Sequence, residues 1–216
     1  AGNAIVHTTD GGLTQVQQSA SGGQARFITD AGGTFDIESQ SGLNPVTVGS
    51  IEGTGTYQLR GRQLITGTND LSTTVSGEIT GTGGSLVKTG SGTLTLTGSN
   101  SYTSQTIVQN GTLVVDGSIA KSSLTTVQGG ARLGGSGTVG STIIASFGNL
   151  APGPSETPGA MTVAGNLAFQ TGALYIVQVN PTAASTTNIT GTAALTGIVG
   201  ANFAPGSYTR RSYTIL

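Results

Sequence analysis

His7 is the only histidine in a chain of 216 residues that contains no cysteine. A Ser-His-Asp relay would have to run through His7, and a metal centre would have to be built mainly from carboxylates. Serine and aspartate are frequent enough to supply partners by chance, so their presence alone is not a site. The acids are spread along the chain as Asp10, Asp30, Asp36, Glu38, Glu52, Asp70, Glu78, Asp116 and Glu156. Asp36 and Glu38 stand two apart on an expected strand and would share a face. Asp30 and Glu52 could stack beside them on adjacent turns. That is the one grouping suited to calcium or to paired-carboxylate work on a glycan, and its other reading is a solvated face. The segment Gly135-Ser-Gly137-Thr-Val-Gly140 fits the G-x-G-x-x-G pattern. A dinucleotide site needs a helix after that pattern and an acid about 20 residues on; the residues that follow, STIIASFG, read as a strand, so the glycines are expected to be corners. Arg210-Arg211 beside Tyr208 and Tyr213 could stack on the rings or cover a sheet edge with charge. Asn110-Gly-Thr112 and Asn188-Ile-Thr190 fit the glycosylation sequon and read as turn and strand residues. No catalytic, metal-binding or cofactor-binding residue is assigned, and no cofactor is expected.

The elements that would have to position any such group are unusual. Glycine supplies 37 residues, charged residues only 8 %, tryptophan none, and the net charge is −1. Near-neutral charge removes the basic footprint of a nucleic-acid partner and argues against an anionic membrane surface. No apolar run approaches the ~20 residues of a spanning helix, and the opening AGNAIVHTTDGG lacks the basic and apolar regions of a signal peptide. Helical periodicity is broken everywhere by Gly, Ser and Thr. Thr93–Thr97 alternates strictly, and Thr112–Val115 and Leu174–Val179 are short apolar runs, so all three predict strands.

These strands recur at a nearly constant step. Gly followed by a large apolar residue returns at Gly92-Thr-Leu94, Gly111-Thr-Leu113, Gly130-Ala-Arg-Leu133, Gly148-Asn-Leu150 and Gly165-Asn-Leu167, with steps of 19, 19, 18 and 17 residues. Gly33-Thr-Phe35, Gly55-Thr-Tyr57 and Gly77-Glu-Ile79 carry the pattern earlier at 22. A β-branched residue (Val87, Val108, Val127, Ile144, Val163) precedes each later glycine. The step is that of a solenoid turn. The expected fold is an all-β, right-handed parallel β-helix, with a β-sandwich as the alternative that leaves the step unexplained. Leu94, Leu113, Leu133, Leu150 and Leu167 would form an inward ladder. The repeat fades after residue 170, so residues 1–169 are read as coils and 170–216 as a C-terminal capping region, filled by Leu174, Ile176, Tyr208, Tyr213 and Ile215. The Pro-rich stretch 151–159 reads as a protruding loop.

Residues 86–115, LVKTGSGTLTLTGSNSYTSQTIVQNGTLVV, resemble the passenger-associated transport repeat of bacterial autotransporters, L-x-K-x-G-x-G-T-L-x-L-T-G-x-N-x-Y with Ser104-Gln105 in place of a common Gly-Gly. The stretches 133–153, 161–180, 188–197 and 206–216 resemble the end of such a passenger. The resemblance implies a type V secreted, non-enzymatic stem at the surface of a Gram-negative bacterium, exported across the outer membrane. It implies an autochaperone role for the C-terminal part and, as partner, the protein's own C-terminal outer-membrane β-barrel. Its alternative is an adhesin or virulence surface that meets host cell-surface or matrix molecules; a glycan-cleaving β-helix ranks third.

Overall fold

A computed structural model describes residues 4–16, 21–37, 45–154, 157–209 and 212–216. Among these residues there are 26 strands and no helix. Every strand pair is parallel, and partners are a full turn apart in sequence, as in Thr93–Leu96 on Thr112–Val115. The chain is a parallel β-solenoid of about nine turns with three sides. One side is a ten-stranded sheet running from Ile5–Thr8 to Ile198–Phe203. A second is an eight-stranded sheet from Val46–Val48 to Ala193–Leu195. The third side is split into two four-stranded sheets.

The period-2 alternation of each strand sorts its side chains. In Thr93–Leu96 and Thr112–Val115 the leucines and Val115 are buried and the threonines and Val114 face outward. On the ten-stranded sheet Leu94, Leu113, Leu133 and Leu150 stack in register, and the next rung is Tyr175. Leu167 is buried but belongs to the eight-stranded sheet, between Thr142 and Ala193. Its assignment to the same ladder is therefore corrected. Gly-x-Leu marks more than one corner of the turn, so equal spelling does not mean equal side.

Two further assignments change phase. Leu174 and Ile176 are only half-buried, while Tyr175, Val177 and Val179 face the core. The run LYIVQV offers apolar residues on both faces, so its own pattern cannot set its phase. Pairing of Leu150 with Tyr175 sets it, and a one-residue shift turns every side chain over. Strands on both sides of residue 170 add to the same sheets, and parallel pairing continues to Phe203. Tyr213 and Ile215 pack on the core edge, where the Ile215 carbonyl accepts from Thr187 N and from the Tyr175 hydroxyl. Tyr208 is exposed and donates to the carbonyls of Val179 and Ala204. The outermost turn leaves Leu195, Ile198, Val199 and Phe203 more than half exposed.

Candidate functional site at the coil of residues 86–115

The coil runs from strand Ser85–Lys88 through a corner to Thr93–Leu96, across the third side, and into Thr106–Val108. At the first corner Lys88 occupies an inward rung of the eight-stranded sheet, between Thr66 and Val108. Val108, Val127 and Ile144 continue that rung, so a lysine stands where an aliphatic residue would be expected. The side chain is 1 % exposed. Its ammonium donates to the carbonyls of Thr89 (2.7 Å), Gly90 (2.9 Å) and Asn110 (3.3 Å). These are carbonyls that the corner removes from the sheet ladder, and an ammonium has donors enough for all three. Burial pulls the Lys88 pKa down to about 8, and the Asp70 carboxylate partly opposes that fall. Asp70 in turn accepts from Ser91 N at 2.7 Å, which holds its own pKa below the ordinary carboxylate value.

On the third side this turn has no strand. Asn100, nearly fully buried, fills the gap between the two four-stranded sheets. Its Oδ1 accepts from Ile79 N (2.9 Å) on the turn before, and its Nδ2 donates to Ser118 O (3.1 Å) on the turn after. The backbone keeps part of the ladder here, with Ser101 N donating to Ile79 O (2.9 Å) and Asn100 N to Ser118 O (2.8 Å), and the amide side chain adds one bond to each neighbouring turn. Two residues on, the buried Tyr102 hydroxyl bonds to Thr106 Oγ1 (2.7 Å), which bonds to Ser122 Oγ (2.9 Å).

At the corner leading to the third side, Gly55, Gly77, Gly98, Gly117 and Gly137 stack turn on turn. A Cβ on Gly98 would lie 2.1 Å from Gly77 O, and one on Gly117 2.1 Å from Gly98 O. Close approach of backbone to backbone fixes these positions, since none of the last four has a positive φ. Gly55 and Gly77 belong to the repeat series read from the sequence, but that series passes at Gly92 and Gly111 to the corner of the ten-stranded sheet, whereas this corner continues through Gly98, Gly117 and Gly137 with steps of 22, 21, 19 and 20.

The acidic grouping does not assemble. Asp36 is bound by Arg60 through two bonds (3.1 and 2.9 Å), Glu52 pairs with Arg26, and Asp30 pairs with His7 at 2.8 Å. Each acid thus has its own side-chain partner, and the three pairs are separate. Glu38, Glu156, Arg210 and Arg211 lie outside the described residues. The G-x-G-x-x-G segment leads from strand Arg132–Gly135 into strands Thr138–Val139 and Thr142–Ile144, not into a helix. The coil is thus built to close and stack backbone, with Lys88 and Asn100 bonded to backbone groups of this turn and its neighbours.

The family model of the passenger-associated-transport-repeat matches residues 86–115, the span that holds Lys88, Gly98, Asn100 and Tyr102. No curated protein matches the chain. The repeat and the parallel solenoid together fit an autotransporter passenger region.

Proposed function

We propose, from a transport repeat seated in a parallel solenoid, that this chain is a non-enzymatic stem of an exported passenger at the cell surface, and that its C-terminal turns promote folding and outward movement of the rest. The observation that carries the second half is the pairing of Leu174–Val179 with Ile198–Phe203. Six registered residue pairs join them, whereas other described strand pairs have four or fewer. Stability in a solenoid is close to a sum of turn and nearest-neighbour terms, so this long ladder offsets what the outermost turn loses by having a single neighbour and an exposed face. A turn that folds there offers the preceding residues a finished edge to pair with, and a folded turn cannot slip back through a narrow pore.

The test places a buried carboxylate at either end of the stem within the full-length precursor. Val177→Asp is expected to abolish protease-accessible passenger at the cell surface, while Phe35→Asp, equally buried, is expected to leave the C-terminal turns displayed. Equal loss of display in both variants overturns the directional reading.

A further inference from the structure

The outer face of the ten-stranded sheet carries a groove of about 470 Å³ that the stacking role does not use. Its floor is Val114 and Gly134, one wall is Arg132, and Asp116 and Pro154 close the other side. That volume lies within the ~300–1,000 Å³ usual for small-ligand sites. The sequence makes the hollow in a definite way. Outward positions on neighbouring rungs are Val114, Gly134 and Ala151, so side-chain bulk falls away where the Pro-rich loop begins at Gly153. The Arg132 side chain leans over the gap: a Cβ on Gly134 would stand 3.9 Å from its Nε.

Two charged groups reach this hollow with capacity unspent. Among the described residues, the Arg132 guanidinium has no hydrogen-bond or ion-pair partner. Asp116 accepts from Ser136 N at 3.0 Å through Oδ1, and its other oxygen has no described donor. The two do not form an ion pair with each other. Thr112 adds a hydroxyl beside Arg132 in the rung below. A guanidinium fork matches a carboxylate with two parallel bonds. A nearby carboxylate oxygen accepts from hydroxyls, and a glycine floor lets the flat C–H side of a ring approach the backbone. The geometry points to a binding groove for a carboxylated saccharide, with the sugar acid on Arg132 and ring hydroxyls on Asp116. This site is independent of the export reading, because it requires only the folded stem.

The probe is a galacturonic acid trimer titrated calorimetrically into the folded chain at 0.15 M salt, a concentration that screens diffuse surface charge. Saturable binding is expected. Arg132→Gln should weaken it by at least about tenfold, the loss of a bidentate charged pair, and Asp116→Asn should weaken it several-fold, both with unchanged melting temperature. Arg132→Lys keeps the charge without the fork and should fall between wild type and Arg132→Gln. A neutral galactose trimer and a tri-aspartate peptide should not bind. Absence of binding by the wild type, binding unaffected by Arg132→Gln, or equal binding of either control overturns the assignment.

Discussion

The ammonium of Lys88 lies 3.3 Å from the carbonyl oxygen of Asn110, one turn further along the solenoid. With its bonds to Thr89 and Gly90, this side chain ties two successive corners together from inside the coil. The same arrangement predicts a pH signature. Lys88 titrates at about 8 in the folded chain, against an ordinary 10.5. Between those values the unfolded chain holds a proton that the folded chain does not, so stability from this group rises with pH, by up to about 1.4 kcal/mol per unit. The tyrosines act in the opposite sense only at higher pH, since burial pushes Tyr57 up to about 12. Lys88→Met should destabilise by about 2 kcal/mol through the orphaned carbonyls. The gap between wild type and variant should widen from pH 8 to 9.5 in urea unfolding. A gap that stays constant would mean that Lys88 is not held near neutrality.

The glycine ladder gives a sharper steric prediction. Gly117→Ala places a Cβ 2.1 Å from Gly98 O, against backbone that two sheets hold in place. Relief requires separating two turns, so the change should cost well beyond the ~1 kcal/mol range of an ordinary surface substitution. Gly130→Ala is the control: a Cβ there meets nothing within 4 Å, although φ is +81°, and only backbone strain of about 1–2 kcal/mol is expected. Urea midpoints that rank the two variants in reverse would show that conformation, not contact, selects glycine in this stack.

How far these features could be read from the residues depends on how each is enforced. The solenoid was legible because one inward leucine per turn is enough to mark the period, as Leu94, Leu113, Leu133 and Leu150 do. Which side a leucine belongs to was not, because Leu167 follows Gly-Asn as Leu150 does, yet stacks on another sheet. Lys88 and Asn100 stand out within the repeat segment. Their roles could not be read there, since the partners of Lys88 are backbone carbonyls and those of Asn100 are backbone groups on two other turns. The acids looked clustered by spacing alone. Arg26 and Arg60, 24 or more residues from their partners, were the missing information.

The phase of Leu174–Val179 can be checked directly. Val177 is 2 % exposed and Ile176 is half-buried on the outward face. An aspartate at 177 would be buried without a partner, charged or neutralised, at a cost on the order of several kcal/mol. The same residue at 176 keeps access to water and should lower stability by about 1–2 kcal/mol. Circular dichroism should show Val177→Asp with the strand signal of its C-terminal turns lost, and Ile176→Asp with the full strand signal and a reduced melting temperature. Loss of folding in Ile176→Asp alone would reverse the register assigned to this strand.

Inside the eight-stranded sheet, Thr106, Thr125 and Thr142 occupy one inward rung between Leu86 and Leu167. All three are buried, but their hydroxyls differ. Thr106 is bonded to Tyr102 and Ser122, and Thr142 donates to Gly140 O at 2.9 Å, while Thr125 Oγ1 has no hydrogen-bond partner. An unmade bond of this kind carries the desolvation cost without a return. Thr125→Val keeps the branched shape and removes that polar atom, so it should stabilise the chain by about 1 kcal/mol. Thr106→Val removes two bonds and strands the buried Tyr102 hydroxyl, so it should destabilise by about 2 kcal/mol. Opposite shifts in urea midpoint for two identical substitutions one turn apart are the expected result. A loss of stability in both would place a bridging water beside Thr125, and with it a polar network that continues through the whole rung.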